Sequence, residues 1–186
     1  MKATELLGKL GVVGILLAVV LPSPLPAPLT GYLKIPDIPG ESKATEHENE
    51  IDITDISWEL ARPSSTGTSR EYGAADFKEF KAVKYLDKSS PYLALACAQG
   101  KILPELVLTL RKDSGDAHLD YLTITLTNVR VTSYSVGGSG DTDDRPTEEV
   151  AFYYNKIAFS YTLFDETGRP AETTEMRWDL ETNTEG

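Results

Sequence analysis

Cysteine occurs once in the 186 residues, at Cys97, and histidine only twice, at His47 and His118. A single thiol can neither close an internal disulfide nor build a thiolate metal site, so the fold has to be held by its core. Cations are also in short supply: 18 Lys and Arg stand against 29 Asp and Glu, a formal net charge of -11. That balance argues against a nucleic-acid binder, whose phosphate contacts need clustered basic residues, and favours solubility and basic partners. Long apolar runs are missing as well. The longest, Leu10 to Leu21 (LGVVGILLAVVL), has about a dozen residues, short of the roughly 20 that span a bilayer as a helix. The P-loop, G-x-G-x-x-G, G-x-S-x-G and H-E-x-x-H patterns do not occur, and with them go the commonest phosphate, dinucleotide, nucleophile-elbow and zinc-protease chemistries.

What is present divides the chain near residue 30. Lys2 and Lys9 flank a start that leads into the apolar run, and the proline-rich PSPLPAP follows at 22–28. Basic residues before an apolar core make a secretory-signal pattern. A cut after Ala27 would put Leu25 at the position that favours a small residue and Pro28 just beyond the cut, a poor cleavage site. A cleaved signal, an uncleaved membrane anchor and a start codon placed too early therefore all stand as readings of residues 1–30.

From Gly31 onward the apolar period is two, in segments rich in Val, Ile, Thr, Tyr and Phe, which predicts a mainly β domain over 31–183. YLKI at 32–35 is a short strand stopped by Pro36. EIDITDISWEL alternates through Ile51 and Ile53, then changes phase to Ile56, Trp58 and Leu60, which predicts a bend or bulge. FKEFKAVKYL, ELVLTLRK, YLTITLTNVRVTSYSV, VAFYYNKIAFSYTLF and EMRWDL supply further strands; within the third of these, Val129 and Val131 change faces relative to Leu122, Ile124 and Leu126. DSGDA at 113–117 and ETGRP at 166–170 place glycine where a hairpin needs positive φ. Two longer loops, Ala61 to Ala75 and Gly137 to Glu148, are rich in Gly, Ser and charge.

One short helix is predicted, over about 90–99, in SSPYLALACAQGKILPE. Ser90 is placed to cap the free N–H groups, Pro91 suits the first helical position, Gly100 the left-handed C′ position, and Pro104 blocks continuation. Leu93 and Cys97 lie one turn apart with Ala94 and Ala98 beside them, a face that small residues let approach a sheet closely. That setting predicts a packed cysteine. A nucleophilic Cys97 would need a base and an electropositive surrounding. His47 and His118 sit in the polar stretches ATEHENE and GDAHLD, which predicts solvent-facing side chains, neither bases nor metal ligands. Asp141, Asp143 and Asp144 invite a calcium reading, but the run lacks the glycine and distal glutamate of an EF-hand loop and reads as a solvated loop. No catalytic, cofactor or metal site emerges. Tyr32, Tyr121, Tyr134, Tyr153, Tyr154 and Tyr161 on strands suit half-buried packing or a subunit interface, with a sugar-binding face as the alternative.

Several stretches read in order resemble the haemolysin-coregulated protein (Hcp) family, the tube-forming component of the bacterial type VI secretion system. They are YLKIPDIPGES, ISWEL, the block VKYLDKSSPYLALACAQGKILPELVLTLRK, YLTITLTNVRVTSYSVGGSG, RPTEEVAFYYNKIAFSYT and WDLETN, together covering about residues 31 to 183. The resemblance implies a small antiparallel β-barrel of two packed sheets with the helix on its flank. It implies hexameric rings that stack head to tail into a hollow tube able to carry effector proteins, a role met by geometry without catalytic groups. It also implies a spike protein of the valine-glycine-repeat type and a contractile sheath as partners, an extended loop at about Arg62 to Ala74 that reaches a neighbouring ring, and a secreted protein that is not an enzyme. The chain runs only a few residues past WDLETN, so no fused toxin domain is expected. The apolar leader departs from the family, whose members lack a classical export signal. It opens periplasmic and membrane-anchored outcomes, and with them a second reading: an exported β-barrel binding module for carbohydrate or surface proteins that reuses the fold.

Overall fold

Leu106, Leu108 and Leu110 alternate along one strand and are all buried, as a period of two requires when one face of a sheet meets a core. A computed structural model describes residues 29–63, 73–114, 117–138 and 145–186. In chain order the elements are β1 (Thr30–Lys34), β2 (Ile51–Ile53), β3 (Asp55–Ser57), β4 (Leu60–Ala61), β5 (Asp76–Phe77), β6 (Phe80–Tyr85), α1 (Ser90–Gln99), β7 (Ile102–Ser114), β8 (Ala117–Gly137), β9 (Thr147–Tyr153), β10 (Lys156–Phe164) and β11 (Pro170–Asp179). The mainly β class with one short flanking helix is therefore as the sequence reads. The leader at 1–28, the acidic run Asp141, Asp143 and Asp144, the hairpin glycine Gly115 and the middle of the Arg62 to Ala74 loop lie outside the described residues.

Nine strands form one antiparallel sheet in the order β2-β1-β7-β8-β9-β6-β3, with β10 on β8 and β11 on β10. The long strand β8 joins two layers. Its one edge is taken by β7, while along the other edge β10 pairs with Leu122–Thr127 and β9 with Arg130–Gly137. The sheet curls until its two end strands are neighbours along the chain, separated by Thr54 alone. Thr54 donates both its N–H (2.8 Å) and its hydroxyl (3.0 Å) to the Val83 carbonyl, tying the joint to β6. This joint is the phase change seen between Ile53 and Ile56: β2 pairs with β1, and β3, one residue later, with β6. The enclosed core draws Leu33 from β1, Ile51 and Ile53 from β2, Phe80 and Ala82 from β6, and Phe152 from β9.

The face change in β8 also has a local cause. Asn128 has φ 54, in the left-handed region that Asn tolerates better than most residues. One residue in that conformation resets the alternation, so that Leu126 and Val129 are both buried. Gly168 in the β10–β11 turn has φ 77, the glycine-dependent hairpin geometry that ETGRP predicts.

Helix α1 ends as read from the sequence, with Gly100 at φ 61 and ψ 30 and the Lys101 N–H donating to the Ala96 carbonyl at 3.1 Å. Its start differs. Ser89 holds the N-cap position, no side chain caps the helix, and Ser90 already lies in the first turn. The Ser90 hydroxyl instead accepts the Asp87 N–H at 3.0 Å and a hydrogen bond from Lys84 at 3.2 Å. A buried ammonium needs that oxygen more than a helix end does, since an unpaired buried charge costs more than an open N–H.

Candidate functional site

A fully buried cation belongs to β6. Phe80, Ala82 and Lys84 alternate inward along this strand, so its lysine enters the interior with only 1 % of its surface exposed. Its Nζ donates to Glu148 Oε1 (2.7 Å), Asp87 Oδ1 (2.8 Å), the Tyr85 carbonyl (2.8 Å) and Ser90 Oγ (3.2 Å). Glu148, equally buried on the facing strand β9, accepts the Tyr134 hydroxyl at 2.8 Å through its other oxygen. Burial, then the hydrogen bond to this carboxylate, pushes the Tyr134 phenol up to about 12, so it stays a donor at any physiological pH. The network clamps the entry of α1 to β6, β8 and β9.

On α1 itself Leu93 and Ala96 are buried, whereas Cys97 is half-buried and packs against the core from the side. The sequence-based face is thus rotated slightly: Ala96 takes the closest approach, Ala94 is half-buried and Ala98 is exposed. Neither histidine serves as a base for the thiol, because both are engaged elsewhere. Cys97→Ala is expected to cost on the order of 1 kcal/mol, as for a small partly buried group, and to leave assembly intact; denaturant midpoints and native mass check both.

His47 corrects the sequence-based expectation. It is not solvent-facing but 6 % exposed, in the connection between β1 and β2. Its ring stacks on Tyr32 with centroids 4.1 Å apart. Its Nδ1 lies 2.7 Å from Glu50 Oε2 and its Nε2 3.2 Å from Asp120 Oδ2. Arg111 completes the cluster, its Nε donating to Asp120 Oδ1 at 2.7 Å and its Nη1 to the Thr45 carbonyl at 2.8 Å. Burial pushes the Asp120 carboxyl up, but the hydrogen bonds from Arg111 and His47 outweigh it and hold the group below its ordinary value. Polar sequence around His47 hides this role because the ring it stacks on comes from β1 and the carboxylate on its Nε2 from β8. The other histidine, His118, is exposed as expected and pairs with Asp113 at 2.6 Å.

A third cluster anchors the long loop after β3. Its two arms pair as β4 and β5, a two-stranded sheet outside the main one. Below them Trp58 stacks on Phe159 (6.2 Å) and meets Phe77 (6.3 Å), which in turn stacks on Trp178 (5.9 Å). The Trp58 indole N–H donates to the Tyr154 hydroxyl at 2.7 Å, and that hydroxyl donates to the Lys78 carbonyl at 3.1 Å. Burial, partly offset by the bond from Trp58, pushes the Tyr154 phenol up to about 12.

These clusters hold backbone segments in place; their acids and bases are turned on one another. Among the described residues no group of three or more His, Cys, Asp or Glu is arranged to hold a metal ion, and no described helix is long and apolar enough to cross a membrane. The outward features are surfaces. Strand β11 pairs with β10 on one edge; on the other, the C-terminal tail covers its last residues, Thr184 bridging Asp179 and the Gly186 N–H donating to the Arg177 carbonyl at 3.4 Å, while the part before Arg177 has no strand partner among the described residues and most of β11 is exposed. On α1, Tyr92 and Leu95 are each about half exposed, as is Ile102 just beyond the helix. Of the six strand tyrosines, Tyr32 and Tyr154 are buried, Tyr121 and Tyr134 half-buried, and Tyr153 and Tyr161 exposed, too scattered to form one sugar-binding face.

Known proteins share this arrangement. Residues 32–161 match the family described as "Type VI secretion system effector, Hcp". Protein hcp1 of Pseudomonas aeruginosa is 37% identical over 134 residues, 70% of this chain and 81% of the relative. Among solved structures, one titled as a type six secretion system protein superposes with a TM-score of 0.80 at 26% identity, over 85% of this chain and 99% of that one. Hcp1 from Salmonella typhimurium does so with a TM-score of 0.69 at 28% identity, over 86% of this chain and 100% of that one.

Proposed function

Since the chain belongs to the Hcp family of type VI secretion proteins, we propose that it is a structural subunit, not an enzyme, whose hexameric rings stack into the secreted inner tube of such a system. The observation that carries this reading is the family match, which runs from within β1 to within β10 and so spans nearly the whole barrel. The surface supports it. The part of the β11 edge that the C-terminal tail leaves uncovered, before Arg177, is a standing template for pairing with another chain, and closing a ring removes it. The exposed Tyr92, Leu95 and Ile102 supply apolar area for a neighbour. The loop between β4 and β5 is the part that reaches the next ring, and the pairing of these two strands over the aromatic cluster holds its two ends together. Effector proteins in the lumen, a valine-glycine-repeat spike and a contractile sheath are the partners that follow. The tube itself carries the protein out of the cell.

The apolar run Leu10 to Leu21 favours a second reading, an exported β-barrel binding module that acts outside a secretion tube. Native mass measurement separates the two. A particle of six times the chain mass, lengthening into stacks as concentration rises, is the expected result; a stable monomer at high concentration overturns the ring and leaves the binding module.

A further inference from the structure

Past the buried residues Leu110 and Ile124 the two long hairpins continue beyond the core. Lys112 pairs with Leu119 across one, and Leu163 leads into the β10–β11 turn of the other. Between them lies an open cleft of about 550 Å3, lined by Leu119, Tyr121, Tyr161 and Leu163 with Lys112 and Glu166 at its rim. Tyr121 and Tyr161 meet edge to face, centroids 6.2 Å apart. Tyr161 is 44% and Leu163 50% exposed, so this is an apolar, aromatic sheet face with nothing packed on it among the described residues.

The chain carries its own occupant. Strand β1 runs antiparallel to β7 with Thr30 opposite Arg111, so the chain upstream of Thr30 heads past Lys112, at the rim of the cleft. Leu29 still packs against the core. Immediately before it comes PSPLPAP, with proline at 22, 24, 26 and 28. A segment with a proline at every second position gives up every N–H along one edge of a strand, and the fixed φ of proline favours polyproline II. Such helices lose little entropy on docking, and they dock in aromatic-lined grooves. Length allows it: seven residues at roughly 3.1 Å each span about 22 Å, against about 14 Å from β1 across β7 and β8 to β10 at a strand spacing of roughly 4.8 Å.

We propose that Pro22–Pro28 docks as a polyproline II helix in the Tyr121–Tyr161 cleft of its own chain, a strap from the N-terminal segment across the end of the barrel. The strap does not depend on ring formation, because both parts belong to one chain.

The test uses the full chain with the photoreactive p-benzoylphenylalanine in place of Tyr161 and, in a second protein, in place of Leu163, whose exposed position tolerates the larger ring. After irradiation the expected product is a crosslink to residues 22–28 that runs at the mass of one chain. Its yield falls at least threefold when Pro24→Ser and Pro26→Ser are introduced together. A product at twice the chain mass, which would make a second copy the occupant, overturns the strap. So does a crosslink to any other part of the same chain, or a yield that the proline changes do not alter.

Discussion

Lys84→Met is expected to lower the unfolding free energy by about 3–5 kcal/mol, read as a large fall in urea midpoint at fixed protein concentration. The methionine fits the space, but Glu148 and Asp87 lose the cation that balances them, and Glu148 is too deeply buried for water to replace it. The cost arises from the orphaned carboxylate more than from the lost pair. Adding Glu148→Gln to the Lys84→Met protein should therefore restore part of the loss, since an amide still accepts from Tyr134 without a net charge. A double variant no more stable than Lys84→Met alone would mean that the pair itself, with its four-acceptor geometry, is what stabilises the entry to α1.

Gly40→Ala is expected to be the most damaging added methyl among the described glycines. A Cβ at this position would sit 2.2 Å from the Glu50 carbonyl oxygen and 2.5 Å from the Ile51 Cα, both backbone atoms that no rotamer change can move. The close approach is built by hydrogen bonds, Gly40 N–H to the Asn49 carbonyl at 2.8 Å and Ser42 N–H to the Glu50 carbonyl at 3.0 Å. Parting these segments pulls on the connection that holds His47 and on the start of β2. The loss should reach or exceed the upper end of the roughly 1–3 kcal/mol typical of overpacking. Gly137→Ala is the control: nothing lies within 4 Å of a Cβ there, and the change should stay within about 0.5 kcal/mol. Equal effects at the two sites would show that the crowding at Gly40 relaxes freely.

The strands were legible because a half-buried sheet imposes a period of two wherever it runs, and even the irregularities left marks. Ile53 to Ile56 recorded the Thr54 joint, and Val129 recorded the turn of backbone at Asn128. The inward lysine was also visible in principle, since Lys84 keeps the parity of Phe80 and Ala82. What parity cannot supply is the partner. Glu148 lies 64 residues from Lys84, and Asp120 lies 73 from His47. Those pairings are decided by which strands become neighbours, and so a histidine in a polar stretch looked exposed and a serine before a proline looked like a cap. The assembly surfaces were legible only as composition, because exposure depends on where the sheet stops.

The pairing of β1 with β7 has a consequence for how the molecule comes into being. Thr30 and Arg111 are edge partners across most of the first half of the chain. At a synthesis rate of roughly 5–20 residues per second, the β1–β2 pair waits on the order of ten seconds for β7 to leave the ribosome. During that time Leu33, Ile51 and Ile53 have no core to enter. Completion of the sheet is therefore a late event dominated by non-local pairing, slow on the scale of helical proteins. For the apolar residues of its first strands, that interval before closure is when binding by a chaperone would matter most.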